Sequence, residues 1–207
     1  MEDFNMMTVT YAAGTAIYVN MTNRCPCACT FCLRKGKDHV FNSDSLWLDR
    51  EPTVGEVCDS LGTWDLTQYK EIVFCGYGEP TERLSDLLEV AKYIRAKSDI
   101  KIRINTNGLA DLIWNESTAP KLAGLIDAVS ISLNATNKEE YLQVVRPKFG
   151  IDSYDAMLKF TKDCTQYVPS VVMTVVDVVT SKETQALCRE ICKSVGATLR
   201  VRPYVEN

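Results

Sequence analysis

A chain of 207 residues that is 46% hydrophobic can bury one sizeable core, and a formal net charge of −4 argues against a broad nucleic-acid or anionic-membrane surface while leaving room for a local basic cleft. No run of about 18 apolar residues occurs, which excludes a membrane-spanning helix. The acidic start M-E-D-F-N has neither the basic nor the apolar region of a secretory signal, so the nine cysteines are expected in a reducing, cytoplasmic setting, where clustered thiols bind metal or do redox chemistry.

Met7 to Tyr11 and Thr15 to Val19 are β-rich runs around Ala12-Ala13-Gly14, a predicted hairpin over 7–19 that leads into the cysteine loop. Thr53 to Leu61 opens with T-V-G-E, a capping box, and continues at helical spacing. Glu71 to Cys75 reads as a buried strand. Glu82 to Lys97 carries Leu84, Leu87, Leu88, Ala91 and Ile94 on one helical face. Ile100 to Asn105 alternates with period two, and Ser117 to Ile126 reads as a short helix. Ala128 to Asn134 is a strand, Asp152 to Tyr167 a helix, Val171 to Val179 a strand, Ser181 to Val195 a helix and Thr198 to Tyr204 a last strand. Strands separated by helices of this length pair in parallel. A closed barrel of eight units needs roughly 250 residues. The expectation is one α/β domain over 1–207, a partial (β/α)6 barrel of TIM type.

Ligand sites in parallel sheets form at the C-terminal strand ends. Each predicted strand ends there in polar or glycine-rich sequence: Y-V-N-M-T-N, G-Y-G-E-P at 76–80, N-T-N-G at 105–108, S-L-N-A at 132–135, Asp177, and R-V-R-P-Y. Alternation places Arg103 with Asn105, Ser130 and Ser132 with Asn134, and Arg200 with Arg202, while Ile102, Ile104, Ile131, Leu133, Leu199 and Val201 face the other way. The polar set is expected inside, lining a wet, ligand-sized cavity. Buried arginines need anionic or carbonyl partners. Arg103, Arg146, Arg200 and Arg202 are therefore substrate candidates, with an acidic or phosphate-bearing group expected in the ligand set. Strand-end salt bridges are the alternative for each.

Arg24 to Arg34, R-C-P-C-A-C-T-F-C-L-R, places four cysteines within eight residues of a chain with one histidine. Cys25, Cys29 and Cys32 have the spacing C-x3-C-x2-C. Three thiolates can hold three irons of a cubane and leave the fourth open, where four would make an electron carrier. A zinc knuckle needs more widely paired ligands, and Cys29-Thr30-Phe31-Cys32 lacks the context of a thiol-redox loop. Cys58, Cys164, Cys188 and Cys192 read as small core hydrophobes. His39 reads as a solvated loop residue, and Trp47, Trp64 and Trp114 as packing residues.

This pattern resembles the radical S-adenosylmethionine (radical SAM) superfamily, whose signature is C-x3-C-x-aromatic-C with Phe31 at the aromatic position. G-Y-G-E at 76–79 matches the family's glycine-glycine-glutamate strand end, with Tyr77 as an insert. More narrowly, Y-V-N-M-T-N-R-C, F-C-G-Y-G-E-P-T, R-I-N-T-N-G-L-A, V-S-I-S-L-N-A and R-V-R-P-Y are similar to the small subfamily associated with TatD-type deoxyribonucleases. The resemblance implies a [4Fe–4S] cluster on Cys25, Cys29 and Cys32, with S-adenosylmethionine chelated at the open iron. An external electron donor of flavodoxin or ferredoxin type would reduce the cluster. The C5′–S bond then breaks, and a 5′-deoxyadenosyl radical takes hydrogen from an unidentified substrate.

By the same resemblance Glu79 suits the cofactor's ammonium, Gly76 and Gly78 permit close backbone approach, and Tyr77 belongs to the same strand end. Ser132 and Asn134 stand where ribose hydroxyls are held. Asn105 and Thr106 stand where relatives place polar contacts or a monovalent cation, and Val176 and Val178 are candidates for an adenine wall. Cys27 could displace Cys25 or Cys29 as a ligand, but it is expected to be a solvent-exposed bystander, because 25/29/32 alone matches the family spacing. Two other enzymes remain in view, a glycyl-radical activase and a deazapurine-type synthase. The first expects an acid and a lysine where Ser132 and Asn134 stand. A non-catalytic iron–sulfur or zinc module partnering a nuclease is the reading from another class.

Overall fold

The computed structural model describes residues 7–40, 43–177 and 181–203. Strands β1 (Thr10–Ala13) and β2 (Ala16–Val19) form the predicted hairpin, turning at Gly14, whose φ of 58° is one that glycine adopts without strain. From β2 onward every pairing is parallel: β3 (Glu71–Phe74), β4 (Lys101–Thr106), β5 (Ala128–Ser132), β6 (Ser170–Val176) and β7 (Thr198–Arg202) follow in chain order. The seven strands stand in the order β1-β2-β3-β4-β5-β6-β7, so β1 and β7 are edges and the barrel is partial. This is the α/β architecture expected from the alternation of strands and helices.

The register explains the two faces. Ile17, Ile72 and Ile102 stand side by side, as do Val19, Phe74, Ile104 and Val129. These rows pack against the helices in one continuous core with Leu87, Val90, Ile94, Met157 and Phe160. The alternate rows, such as Tyr18-Val73-Arg103 and Asn105-Ser130, carry the polar residues to the inside. A second small cluster of Tyr11, Leu46 and Tyr77, with Tyr18 and Val40 against it, lies apart from that core.

Helices α1 (Val54–Gly62) and α2 (Leu84–Arg95) lie where the periodicity put them. α1 begins with a full capping box: Thr53 Oγ1 accepts from the Glu56 amide, and the Glu56 carboxylate accepts from the Thr53 amide. Arg50 and Thr53 hold the Glu56 carboxyl down at about 2. Thr53→Ala is expected to cost about 1 kcal/mol of stability, read by denaturant unfolding. An unchanged midpoint would mean that the box is idle.

Three helical readings need correction. Ser117–Ile126 is only a 3-10 turn at Ala119–Leu122, because Pro120 lacks an amide donor and Gly124, at φ 72°, turns the chain away. Two helices were not anticipated. α3 (Ala110–Trp114) is a single turn closed by Asn115 at φ 52°. α4 (Lys138–Val145) starts at Asn137, whose side chain accepts from the Glu140 amide, an N-x-x-E signal in plain sight. α5 (Ser153–Cys164) and α6 (Lys182–Ser194) complete the set.

Candidate active site

The cysteine loop is pinned by the C-terminal end of α4, more than a hundred residues downstream. Ala28 N donates to Val145 O at 3.1 Å, Thr30 N to Val144 O at 2.9 Å and Lys148 N to Pro26 O at 2.8 Å. Cys27 bridges to Pro147 in the antiparallel sense. Arg34 closes the loop from within, donating to the carbonyls of Asn23 and Cys27, each at 3.2 Å, and of Tyr77 at 3.4 Å. In the sequence, Arg146 stood out as a substrate candidate and not as part of a segment that holds the loop, since the backbone pairing of 144–148 leaves no side-chain signature.

Cys25, Cys29, Cys32 and the neighbouring Phe31 are half-buried. Cys27 is not the solvated bystander expected: it is 5% exposed and packs in the main core. Its sulfur accepts from Asn107 Nδ2 at 3.6 Å. Its interaction with the Cys25 and Cys29 thiols holds their pKa down while its own is pushed up. Burial pushes the Cys32 thiol up.

The G-Y-G-E turn is shaped by this chain itself. A Cβ on Gly76 would stand 2.0 Å from Asn20 Oδ1, and one on Gly78 would stand 2.2 Å from the Thr22 carbonyl oxygen. The close approach that these glycines permit is therefore to the chain's own segment between β2 and the cysteines. The Tyr77 hydroxyl donates to Lys37 O at 2.5 Å, and its ring meets Trp47 edge-on at 5.1 Å, anchoring the loop that follows the cysteines.

Glu79 is 4% exposed. Its Oε1 accepts from the Thr81 amide (3.1 Å), Thr81 Oγ1 (2.7 Å) and Thr106 Oγ1 (2.7 Å), and its Oε2 accepts from the Asn107 amide (2.7 Å). Burial pushes this carboxyl up, against the pull of those donors. Thr106 in turn accepts from the Gly108 amide, so Glu79 ties the ends of β3 and β4 together. The Asn105 Oδ1 accepts from Arg103. Asn107, in the same N-T-N-G stretch, touches both Glu79 and Cys27; the motif announced the place but not which asparagine.

At the end of β5, Asn134 adopts φ 56° and is 4% exposed, and its Oδ1 has no hydrogen-bond partner among the described residues. A buried acceptor left unpaired is costly and asks for a donor from elsewhere. Ser132 stands two residues before it, and Val176 is buried at the end of β6, the next strand. Val178 lies outside the described residues. The orphaned Asn134 oxygen fits a hydroxyl-bearing cofactor, and the three half-buried cysteines are thiol donors of the kind that a cluster takes, although among the described residues no three Cys, His, Asp or Glu side chains are grouped so as to hold a metal ion.

The arginines are not the buried, unpaired set inferred from strand alternation. Arg103 is deeply set, but Glu71 neutralises it through two contacts at 3.0 and 2.7 Å. Arg200 and Arg202 are exposed, because β7 is an edge strand with one neighbour. Arg200 still reaches Ser130 Oγ at 3.0 Å and lines, with Glu71, Arg103 and Ser170, a cavity of about 410 Å³ at the N-terminal ends of the strands. Arg146 is exposed at the C-cap of α4, donating to Gln143 O. The anionic ligand deduced from buried arginines loses that support, since the partner is Glu71.

Among the described residues no helix is long and apolar enough to cross a membrane. The profile of the radical SAM superfamily matches residues 19–191. A probable GTP 3′,8-cyclase of Thermococcus kodakarensis is 26% identical over 157 residues, covering 76% of this chain and 46% of that protein. Its counterpart in Methanocaldococcus jannaschii is 27% identical over 191 residues, 92% of this chain and 59% of that one. The chain thus spans about half the length of the curated relatives it matches. Among solved structures, Streptococcus suis SuiB bound to S-adenosylmethionine aligns with a TM-score of 0.68 at 17% identity, covering 92% of this chain and 40% of that one. A radical SAM methyltransferase from Sphaerobacter thermophilus aligns with a TM-score of 0.63 at 17% identity, covering 91% and 55%. Those structural likenesses speak for the fold. The family match spans most of the chain and takes in the cysteine loop, the G-Y-G-E turn and Asn134, so this protein belongs to the radical SAM superfamily and is an enzyme of that kind.

Proposed function

We propose that this chain holds a [4Fe–4S] cluster on Cys25, Cys29 and Cys32, binds S-adenosylmethionine beside it, and takes hydrogen from a substrate inside the barrel. The observation that carries the reading is the division of the loop's thiols: Cys27 is buried against Asn107 and the end of α4, which leaves three half-buried cysteines at C-x3-C-x2-C spacing. When bound, the cluster and S-adenosylmethionine supply reductive C5′–S cleavage and hydrogen abstraction.

In this reading the chain's own residues position and exclude. Asn134 and Ser132 receive the ribose hydroxyls, and Val176 gives an apolar wall. Glu79, saturated by four donors, is a positioning residue that holds the β3 and β4 ends in register rather than a free carboxylate for the ammonium. Tyr11, Leu46 and Tyr77 seal the hairpin side against water. An external one-electron donor of flavodoxin or ferredoxin type is the partner.

The test is anaerobic reconstitution, addition of S-adenosylmethionine and dithionite, and assay for 5′-deoxyadenosine. Release of the nucleoside supports the reading, and its absence from an iron-loaded chain would leave the non-catalytic module standing. Asn134→Gly keeps the left-handed backbone and removes the amide; it is expected to raise the cofactor concentration for half-maximal release roughly tenfold.

A nucleotide substrate, of the kind for which the curated relatives are named, is the second reading. Tyr11 and Tyr18 favour it: their rings stack at 5.2 Å, and Tyr18 shares a cross-strand row with Arg103. An aromatic face of this kind suits the stacking of a base. GTP that raises 5′-deoxyadenosine yield supports this reading; GTP without effect removes it.

A further inference from the structure

We infer that the Tyr141 hydroxyl donates a hydrogen bond to a sulfur of the cluster site and so raises the cluster's reduction potential. The inference rests on the cluster reading above.

Tyr141 lies in α4 and is 1% exposed, yet its hydroxyl has no hydrogen-bond partner among the described residues. A buried hydroxyl without a partner costs free energy, and such a group in a folded protein calls for an explanation. The ring is fixed edge-on against Tyr154 at 5.5 Å between centroids. Tyr141 precedes Val144 and Val145 by three and four residues, which puts all three on neighbouring positions of one helix side. The carbonyls of those two valines accept from Thr30 and Ala28, so the cysteine loop is docked on the end of the helix that carries Tyr141. Tyr141 and Cys27 belong to the same main core, and Cys25 and Cys29 pack against that core.

The electrostatics agree with this placement. Burial raises the Tyr141 pKa most, followed by Cys27, Cys29, Glu79 and Cys25, all residues of the site. The hydroxyl therefore keeps its proton and stays a donor. Tyr154 offers the contrast. Its hydroxyl is also unpartnered, but the groups acting on it are Cys188, Asp155, Glu140 and Cys192, away from the loop.

Hydrogen bonds to the sulfurs are among the factors that set iron–sulfur potentials. Reduction adds one electron and negative charge to the cluster, so a donor to its sulfur favours the reduced form. The electron comes from the external reductant, the hydroxyl retains its proton, and no covalent bond forms or breaks on tyrosine.

Tyr141→Phe removes only the hydroxyl. Because that group has no partner among the described residues, the iron-free variant should melt at the same temperature as wild type or higher. The reconstituted variant should carry the same iron and sulfide, and its midpoint potential, from dithionite titration followed by electron paramagnetic resonance, should be more negative. Tyr154→Phe should leave the potential where it is. A Tyr141→Phe potential equal to or above wild type would overturn the inference, as would an equal shift in Tyr154→Phe. A wild-type chain that binds no iron would overturn this inference together with the cluster reading, whereas an iron-loaded variant with unmoved potential overturns this one alone.

Discussion

Cys29→Ala, purified and reconstituted without oxygen, is expected to hold no [4Fe–4S] cluster, while Cys27→Ala keeps its full iron and sulfide. The two residues are two positions apart in the same loop and chemically identical, so composition cannot separate them. Position does. Cys29 is half-buried, on the stretch whose neighbours Ala28 and Thr30 are pinned to α4, and Cys27 is turned into the core against Asn107. Removing one of three cluster thiolates strips an iron of its only protein ligand. Removing the Cys27 sulfur leaves a small void and an unpaired Asn107 amide, a stability cost of about 1–2 kcal/mol with the cluster intact. Iron and sulfide assays on both variants decide it. A Cys27→Ala chain without iron and a Cys29→Ala chain with it would exchange the two roles.

Gly78→Ala should be the most damaging single methyl in the molecule. Its Cβ would fall 2.2 Å from the Thr22 carbonyl oxygen and 2.6 Å from that of Arg24. Both are backbone atoms, which cannot swing aside as a side chain can. The Glu79 amide donates to that same Arg24 oxygen at 2.8 Å, immediately before Cys25. Relief therefore has to come from pushing the cysteine loop off the β3 end. A loss of about 3 kcal/mol or more is expected, a fall in melting temperature of roughly 6–12 °C for a chain of this size, together with reduced iron loading. Gly36→Ala, where an added Cβ meets nothing within 4 Å, is the control and should stay within about 0.5 kcal/mol. A Gly78→Ala chain as stable as that control would show that the loop yields freely.

The elements that were legible in the sequence are those whose signal is periodic. Ile102 and Ile104 against Arg103 and Asn105 told which way β4 faces, because adjacent residues of a strand point to opposite sides whatever surrounds them. The capping box at Thr53 and Glu56 marked the start of α1 for a reason equally local. Short helices failed where a local signal was thin or overruled: α3 is one turn, and Pro120 and Gly124 broke the helix expected over 117–126. At the site, the cysteine spacing and the glycine–glutamate turn were legible as motifs, yet the motif did not say what each member touches. Glu79 reads as a free carboxylate until Thr81, Thr106 and Asn107 are seen around it.

The sequence by itself determined the parallel strand–helix order, the division into apolar and polar faces, and the C-x3-C-x2-C spacing on which the proposed centre rests, since each follows from residue type and spacing along the chain. Only the tertiary structure decided that Arg103 is answered by Glu71, that Gly76 and Gly78 make room for the chain's own Asn20 and Thr22, that Cys27 is buried, and that residues 144–148 hold the cysteine loop. Those are contacts between residues far apart in the chain. They depend on strand register and on where the barrel stops closing, and neither is encoded in a local pattern.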